Sequence, residues 1–120
     1  YYHGYLKEKP YIWHIAVDKN TSKSRFKMDY PVLQPYYTEE SVLNIGVTTI
    51  PLGNHTMKIY EKERLVCDCL KYEDKLERDV LKHMLRNFID DEGKDIAKLM
   101  TYAKERRVVE KVRNRIGVWL

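Results

Sequence analysis

Residues 46–70, GVTTIPLGNHTMKIYEKERLVCDCL, contain the change of period on which the fold turns. Val47–Ile50 and Thr56–Tyr60 read as two short strands. Between them, Pro51-Leu52-Gly53-Asn54 supplies the fixed and positive φ angles of a hairpin turn. Beyond Glu61 the spacing becomes helical, with Leu65, Val66, Cys69 and Leu70 at i, i+1, i+4 and i+5. The segment predicts two paired strands running directly into a helix.

Upstream, the period of two persists. Tyr11, Trp13, Ile15 and Val17 alternate with Ile12, His14 and Ala16, as in a strand, and the polar stretch Asp18–Ser24 turns the chain. Pro31–Tyr37 reads as extended, and Pro31 and Pro35, each lacking a donor, favour an edge or an irregular strand. Downstream, the helical period continues through Leu76, Val80, Leu81, Met84, Leu85, Phe88 and Ile89, and Gly93 is expected to close that helix. Ile96, Leu99, Met100 and Ala103 predict a third helix, and Val108, Val112, Ile116 and Leu120 a fourth. Strands before helices give an α+β fold: a small N-terminal mixed or antiparallel sheet followed by about four C-terminal helices. The apolar stripes read as core. Crowding of Tyr1, Tyr2, Tyr5, Tyr36 and Tyr37 marks an interface, nucleic-acid stacking or packing, and packing, with the hydroxyls kept wet or bonded, is the commoner outcome.

A length of 120 residues suits one domain spanning 1–120. Apolar residues at 43% and charged residues at 33% exclude a disordered chain and a membrane protein. The longest uncharged run, Ser41–Met57, is interrupted by Pro51, Gly53, Asn44 and Asn54 and cannot form a spanning helix. The chain begins at Tyr1 with neither an initiator Met nor a signal peptide, the mark of a fragment of something longer. Two cysteines, Cys67 and Cys69, are too few for a disulfide framework and point to a reducing compartment, the cytoplasm.

The net charge of +4 is concentrated near the C-terminus, where Lys104–Arg115 holds six bases and two acids. Helical spacing sets Lys104, Arg107, Lys111 and Arg115 along one side, about one base per turn, and makes them the candidates for contact with DNA or an acidic partner. A solvated helix face has the same pattern.

Catalytic signatures are sparse. Cys67 and Cys69 lie two apart on a helix, about 200° around its axis, and cannot chelate one ion. His3, His14, His55 and His83 form no metal-binding pair, and the serines lack a nucleophile elbow. Glu73-Asp74-Lys75 matches half of a restriction-type nuclease motif, but a place at a helix start explains it through capping and the helix dipole. Asp68 is expected to pair with Arg64 four residues earlier. No catalytic, cofactor-binding or metal-binding residue is assigned.

The order Gly46-Val47-Thr48-Thr49-Ile50, a turn, Met57-Lys58-Ile59-Tyr60 and then Glu63-Arg64-Leu65-Val66-Cys67-Asp68-Cys69-Leu70 resembles the AbiEi family of abortive-infection antitoxins. In that family a strand with an Ile-Val-Tyr type of pattern runs into a helix bearing Glu-Arg-Thr, two hydrophobic residues and Asp. Leu65 stands in the place of the Thr. Tyr2-His3-Gly4-Tyr5-Leu6 with Pro10, the strand Ile12–Val17 and the later Asp95–Ala103 are similar to further family segments, so that the resemblance spans almost the whole chain. It implies a C-terminal-type antitoxin domain, with the family's N-terminal winged helix-turn-helix absent from these residues. It also implies a cytoplasmic bacterial protein that is not an enzyme, counteracts a nucleotidyltransferase-like toxin and represses its own promoter through the winged helix. Glu63, Arg64 and Asp68 are then motif residues with a structural role. The alternatives are a metal-dependent nuclease built on Glu73 and Lys75 and an accessory nucleic-acid-binding domain.

Overall fold

The computed structural model describes residues 1–29 and 31–120. The span expected to form one unit divides into two compact ones: residues 7–44 with Tyr1, and residues 2–6 with 45–120.

In the first unit, β1 (Ile12–Asp18) and β2 (Val32–Thr38) pair in parallel, from Ile12 opposite Val32 to Asp18 opposite Thr38. Parallel neighbours need a crossover of a dozen or so residues, and here the connection includes a 3₁₀ turn at Lys23–Phe26. The polar turn after β1 forms as expected: Asp18 accepts from the Asn20 amide at 2.8 Å through its side chain and from the Thr21 amide at 2.9 Å through its carbonyl. With two strands in this sheet among the described residues, β2 is an edge, which is why Pro35 is tolerated within it. His14 Nδ1 shares a 2.8 Å hydrogen bond with the Tyr36 hydroxyl. A single helical turn, α1 (Glu40–Leu43), ends the unit.

The second unit opens with the hairpin. β3 (Val47–Leu52) and β4 (His55–Tyr60) pair antiparallel, and the connection is two residues, Gly53-Asn54, with Gly53 at φ +62°. Positive φ at the first central position is the type II′ solution that matches strand twist. The hairpin runs into α2 (Lys62–Lys71), followed by α3 (Arg78–Asp90), α4 (Ile96–Arg106) and α5 (Val109–Ile116). The α+β order is the one the periodicity predicts, with the strands resolved into two separate pairs.

α2 lies at the centre of its unit, packed against β4, α3, α4 and α5. Val66, Cys67 and Leu70 are wholly buried, joined in the core by Phe88, Leu99, Ala103, Val112 and Ile116. The expected stripe through Leu65 and Cys69 is rotated toward Cys67, because the buried face of α2 also takes in Glu63 and, beside it, Arg64. Leu120, expected on the fourth stripe, is 38% exposed beyond a final 3₁₀ turn at Gly117–Trp119.

Two helix ends differ from expectation. Gly93 does not close α3: the helix stops at Asp90, and Lys94 Nζ reaches back to the Ile89 and Asp91 carbonyls at 2.8 and 3.3 Å. α4 ends in a Schellman motif, the Val108 amide bonding the Ala103 carbonyl at 2.9 Å. Its left-handed residue is Arg107, at φ +59°, where glycine is usual.

Candidate functional site

The junction between the hairpin and α2 gathers the charged residues of the Glu-Arg motif. Its backbone is fixed first: Glu61, the residue capping α2, donates its amide to the Gly46 carbonyl at 2.7 Å. Gly46 adopts φ +78°, and a Cβ there would lie 2.9 Å from Arg64 Cβ and 3.1 Å from the Tyr102 ring. The glycine brings the start of β3 against α2.

Arg64, fully buried, donates from Nη1 to the Ile45 carbonyl at 2.6 Å and from Nε to Asp68 Oδ1 at 3.0 Å, with its guanidinium 4.1 Å from the Tyr60 ring centroid. The expected Arg64–Asp68 pair is present. It has a second cation: Arg106, 5% exposed, donates from Nε to the same Asp68 oxygen at 2.8 Å and from Nη2 to the Tyr72 hydroxyl at 3.2 Å. One carboxylate thus joins two successive turns of α2 to the end of α4. Glu63 Oε2 accepts the Asp95 amide at 3.0 Å, where Asp95 caps α4 by accepting from the Lys98 amide at 3.0 Å. Glu61 accepts Lys98 Nζ at 2.7 Å and the Tyr102 hydroxyl at 2.5 Å. These donors hold the Glu61 carboxyl below its ordinary range, and the same carboxylate pushes the Tyr102 phenol up to about 12. Burial raises the Cys67 thiol to about 12, which keeps it a neutral core residue.

A second cluster fastens residues 2–6. The Tyr5 hydroxyl donates to Asp91 Oδ2 at 2.6 Å, Lys62 Nζ donates to the same atom at 2.9 Å, and Asn87 Nδ2 donates to the Tyr5 carbonyl at 2.7 Å. His3 Nε2 donates to the Tyr60 carbonyl at 2.6 Å. Hydrogen bonds from Tyr5, Lys62 and the Gly93 amide hold the Asp91 carboxyl down to about 2.

The four C-terminal bases do not form the row their spacing predicts, since Arg107 terminates α4 and α5 begins at Val109. Lys111 Nζ donates to the Leu70 carbonyl in the last turn of α2 at 3.1 Å, and Arg115 donates to Glu73 Oε1 at 2.6 Å. Lys104 and Arg107 are exposed. Two bases are tied to α2 and its following turn, and two face water.

Glu73-Asp74-Lys75 forms a 3₁₀ turn with no side-chain capping bond, so the expected role at a helix start is replaced by the Arg115 ion pair. Lys75 lies 5.6 Å from the Tyr72 ring centroid. Among the described residues, no three His, Cys, Asp or Glu side chains are grouped to hold a metal ion, and no helix is long and apolar enough to cross a membrane.

Arg106, Tyr102 and Lys98 went unrecognised in the sequence. Their signal was a second face on the third helix: Lys98, Tyr102 and Arg106 recur at i, i+4 and i+8, a polar stripe beside the apolar one. No protein-family profile and no curated protein matches this chain.

Proposed function

We propose that this chain is a non-catalytic antitoxin domain of a bacterial abortive-infection system, related to the AbiEi antitoxins, acting in the cytoplasm against a nucleotidyltransferase-like toxin. The observation that supports the reading is the use to which the motif residues are put. Of the residues that carry the family resemblance, Arg64 and Asp68 pair with each other, Asp68 also holds Arg106 of α4, and Glu63 accepts the Asp95 amide at the start of α4, with Arg64 fully buried. A motif spent on architecture is what a scaffold retains; a hydrolytic site leaves its carboxylates open to water or substrate. In this reading promoter binding belongs to a winged helix preceding these residues, and Lys104 and Arg107 are the bases still free to assist it on phosphates.

The test is co-expression of the protein, in its full-length context, with the nucleotidyltransferase-like product of the adjacent reading frame. Restored growth supports the proposal. Persistent arrest in the presence of folded protein refutes it. Magnesium-dependent cleavage of DNA or RNA by the purified protein, abolished by Glu73→Ala, replaces it with the nuclease alternative.

A further inference from the structure

The outer wall of α3 carries charge that the fold does not use. Arg78, Lys82 and Arg86 are exposed at i, i+4 and i+8, about 6 Å of helix rise apart, and none is engaged in a hydrogen bond or ion pair among the described residues. They overlook an open groove of about 890 Å³ between α3 and the C-terminal turn. Half-buried Leu76, Leu85 and Ile89 line its floor, and Trp119, 67% exposed, stands on the facing wall. Arg115 on that wall is already neutralised by Glu73.

We propose that this groove docks an acidic amphipathic helix of a protein partner. The occupant follows from two complementary features. Three cations at one per turn match carboxylates at i, i+4 and i+8 on a facing helix, whose repeat is the same. The aliphatic floor and the indole take the apolar side chains lying between those acids, in the way exposed apolar grooves anchor helices. A nucleic-acid backbone satisfies the first feature only, leaving the aliphatic floor without a partner. A second copy of this chain does not fit either, because none of its helices carries acids at i, i+4 and i+8. The inference is independent of the antitoxin reading.

The experiment uses the full chain with Trp13→Phe, which leaves Trp119 as its sole tryptophan reporter. The probes are a synthetic helical peptide with Glu at i, i+4 and i+8 and Leu between, its twin with Lys for Glu, and a short DNA duplex. The Glu peptide should bind saturably with a change in Trp119 emission, and the Lys peptide at least about tenfold more weakly. Lys82→Glu with Arg86→Glu should reverse that order of preference. Both positions are exposed, so the fold is retained, and recovered binding of the Lys peptide reports it directly. Equal affinity for the two peptides, or no saturable binding, overturns the proposal. Tighter binding of the duplex than of the Glu peptide, lost in the double variant, overturns it in favour of nucleic acid; a dimer abolished by the double variant overturns it in favour of self-association.

Discussion

The hairpin–α2 junction and the outer wall of α3 both present basic side chains borne on helices, and they use them in opposite ways. At the junction Arg64 and Arg106 are out of water and converge on one oxygen of Asp68, each with a further acceptor. On α3, Arg78, Lys82 and Arg86 stand in solvent. Burial is what separates them. A desolvated guanidinium depends on its anion and its fixed acceptors, so it fixes geometry; a hydrated one contributes little to stability and stays available for another molecule.

That contrast breaks most sharply at Asp68. Asp68→Ala leaves two buried cations without their shared anion and should cost about 3–5 kcal/mol in urea unfolding. A loss under about 1 kcal/mol, the scale of an exposed pair, would place the junction in the same class as the α3 wall. Gly46→Ala forces a side chain into a left-handed position and against Arg64, and is expected to cost about 1–3 kcal/mol by the same measurement.

Asp91 lies between the two extremes, partly solvated yet multiply bonded. Its folded value is depressed to about 2 from an ordinary 3.8, so its stabilisation is complete above the ordinary value and is lost as the pH falls to the folded one. The stability difference between the native protein and Asp91→Asn should therefore shrink from pH 4 to pH 2, and a constant difference across that window would remove the carboxylate from the account. Arg107→Gly relieves a left-handed arginine and should raise stability by up to about 1 kcal/mol, visible as a higher urea midpoint. The smallest effect belongs to the α3 wall: Arg78→Gln, Lys82→Gln or Arg86→Gln should each change stability by less than about 0.5 kcal/mol. A larger loss would mean that these cations hold the fold together as the junction arginines do.

The hairpin was legible because its signals are local: turn residues between two short runs, with a glycine where the turn requires positive φ. The helices were legible from period alone, as was Asp68 with Arg64, four residues apart. What escaped is non-local or breaks a propensity rule. The parallel partner of β1 is set by tertiary packing, and Arg106 reaches Asp68 across 38 residues. The interruption at Arg107 was hidden because an arginine occupies the position by which a glycine would have announced it. Gly93 misled for the converse reason: it sits in a side-chain-bonded turn, its amide 2.8 Å from Asp91 Oδ1, and the helix end is satisfied by Lys94. The α3 groove had no signature at all, since it exists only between elements.

The fastening of residues 2–6 has a topological consequence. His3 and Tyr5 anchor the chain to the helical unit before residues 7–44 depart to form their own, and the chain rejoins at Ile45. The first unit is thus an insertion held at both ends, a loop whose closure is imposed by its host. Loop-closure entropy grows only logarithmically with length, so the host tolerates a folded, loosened or resized insert at nearly the same cost. Variation in the length of this insert is the kind of change such a connection absorbs most readily.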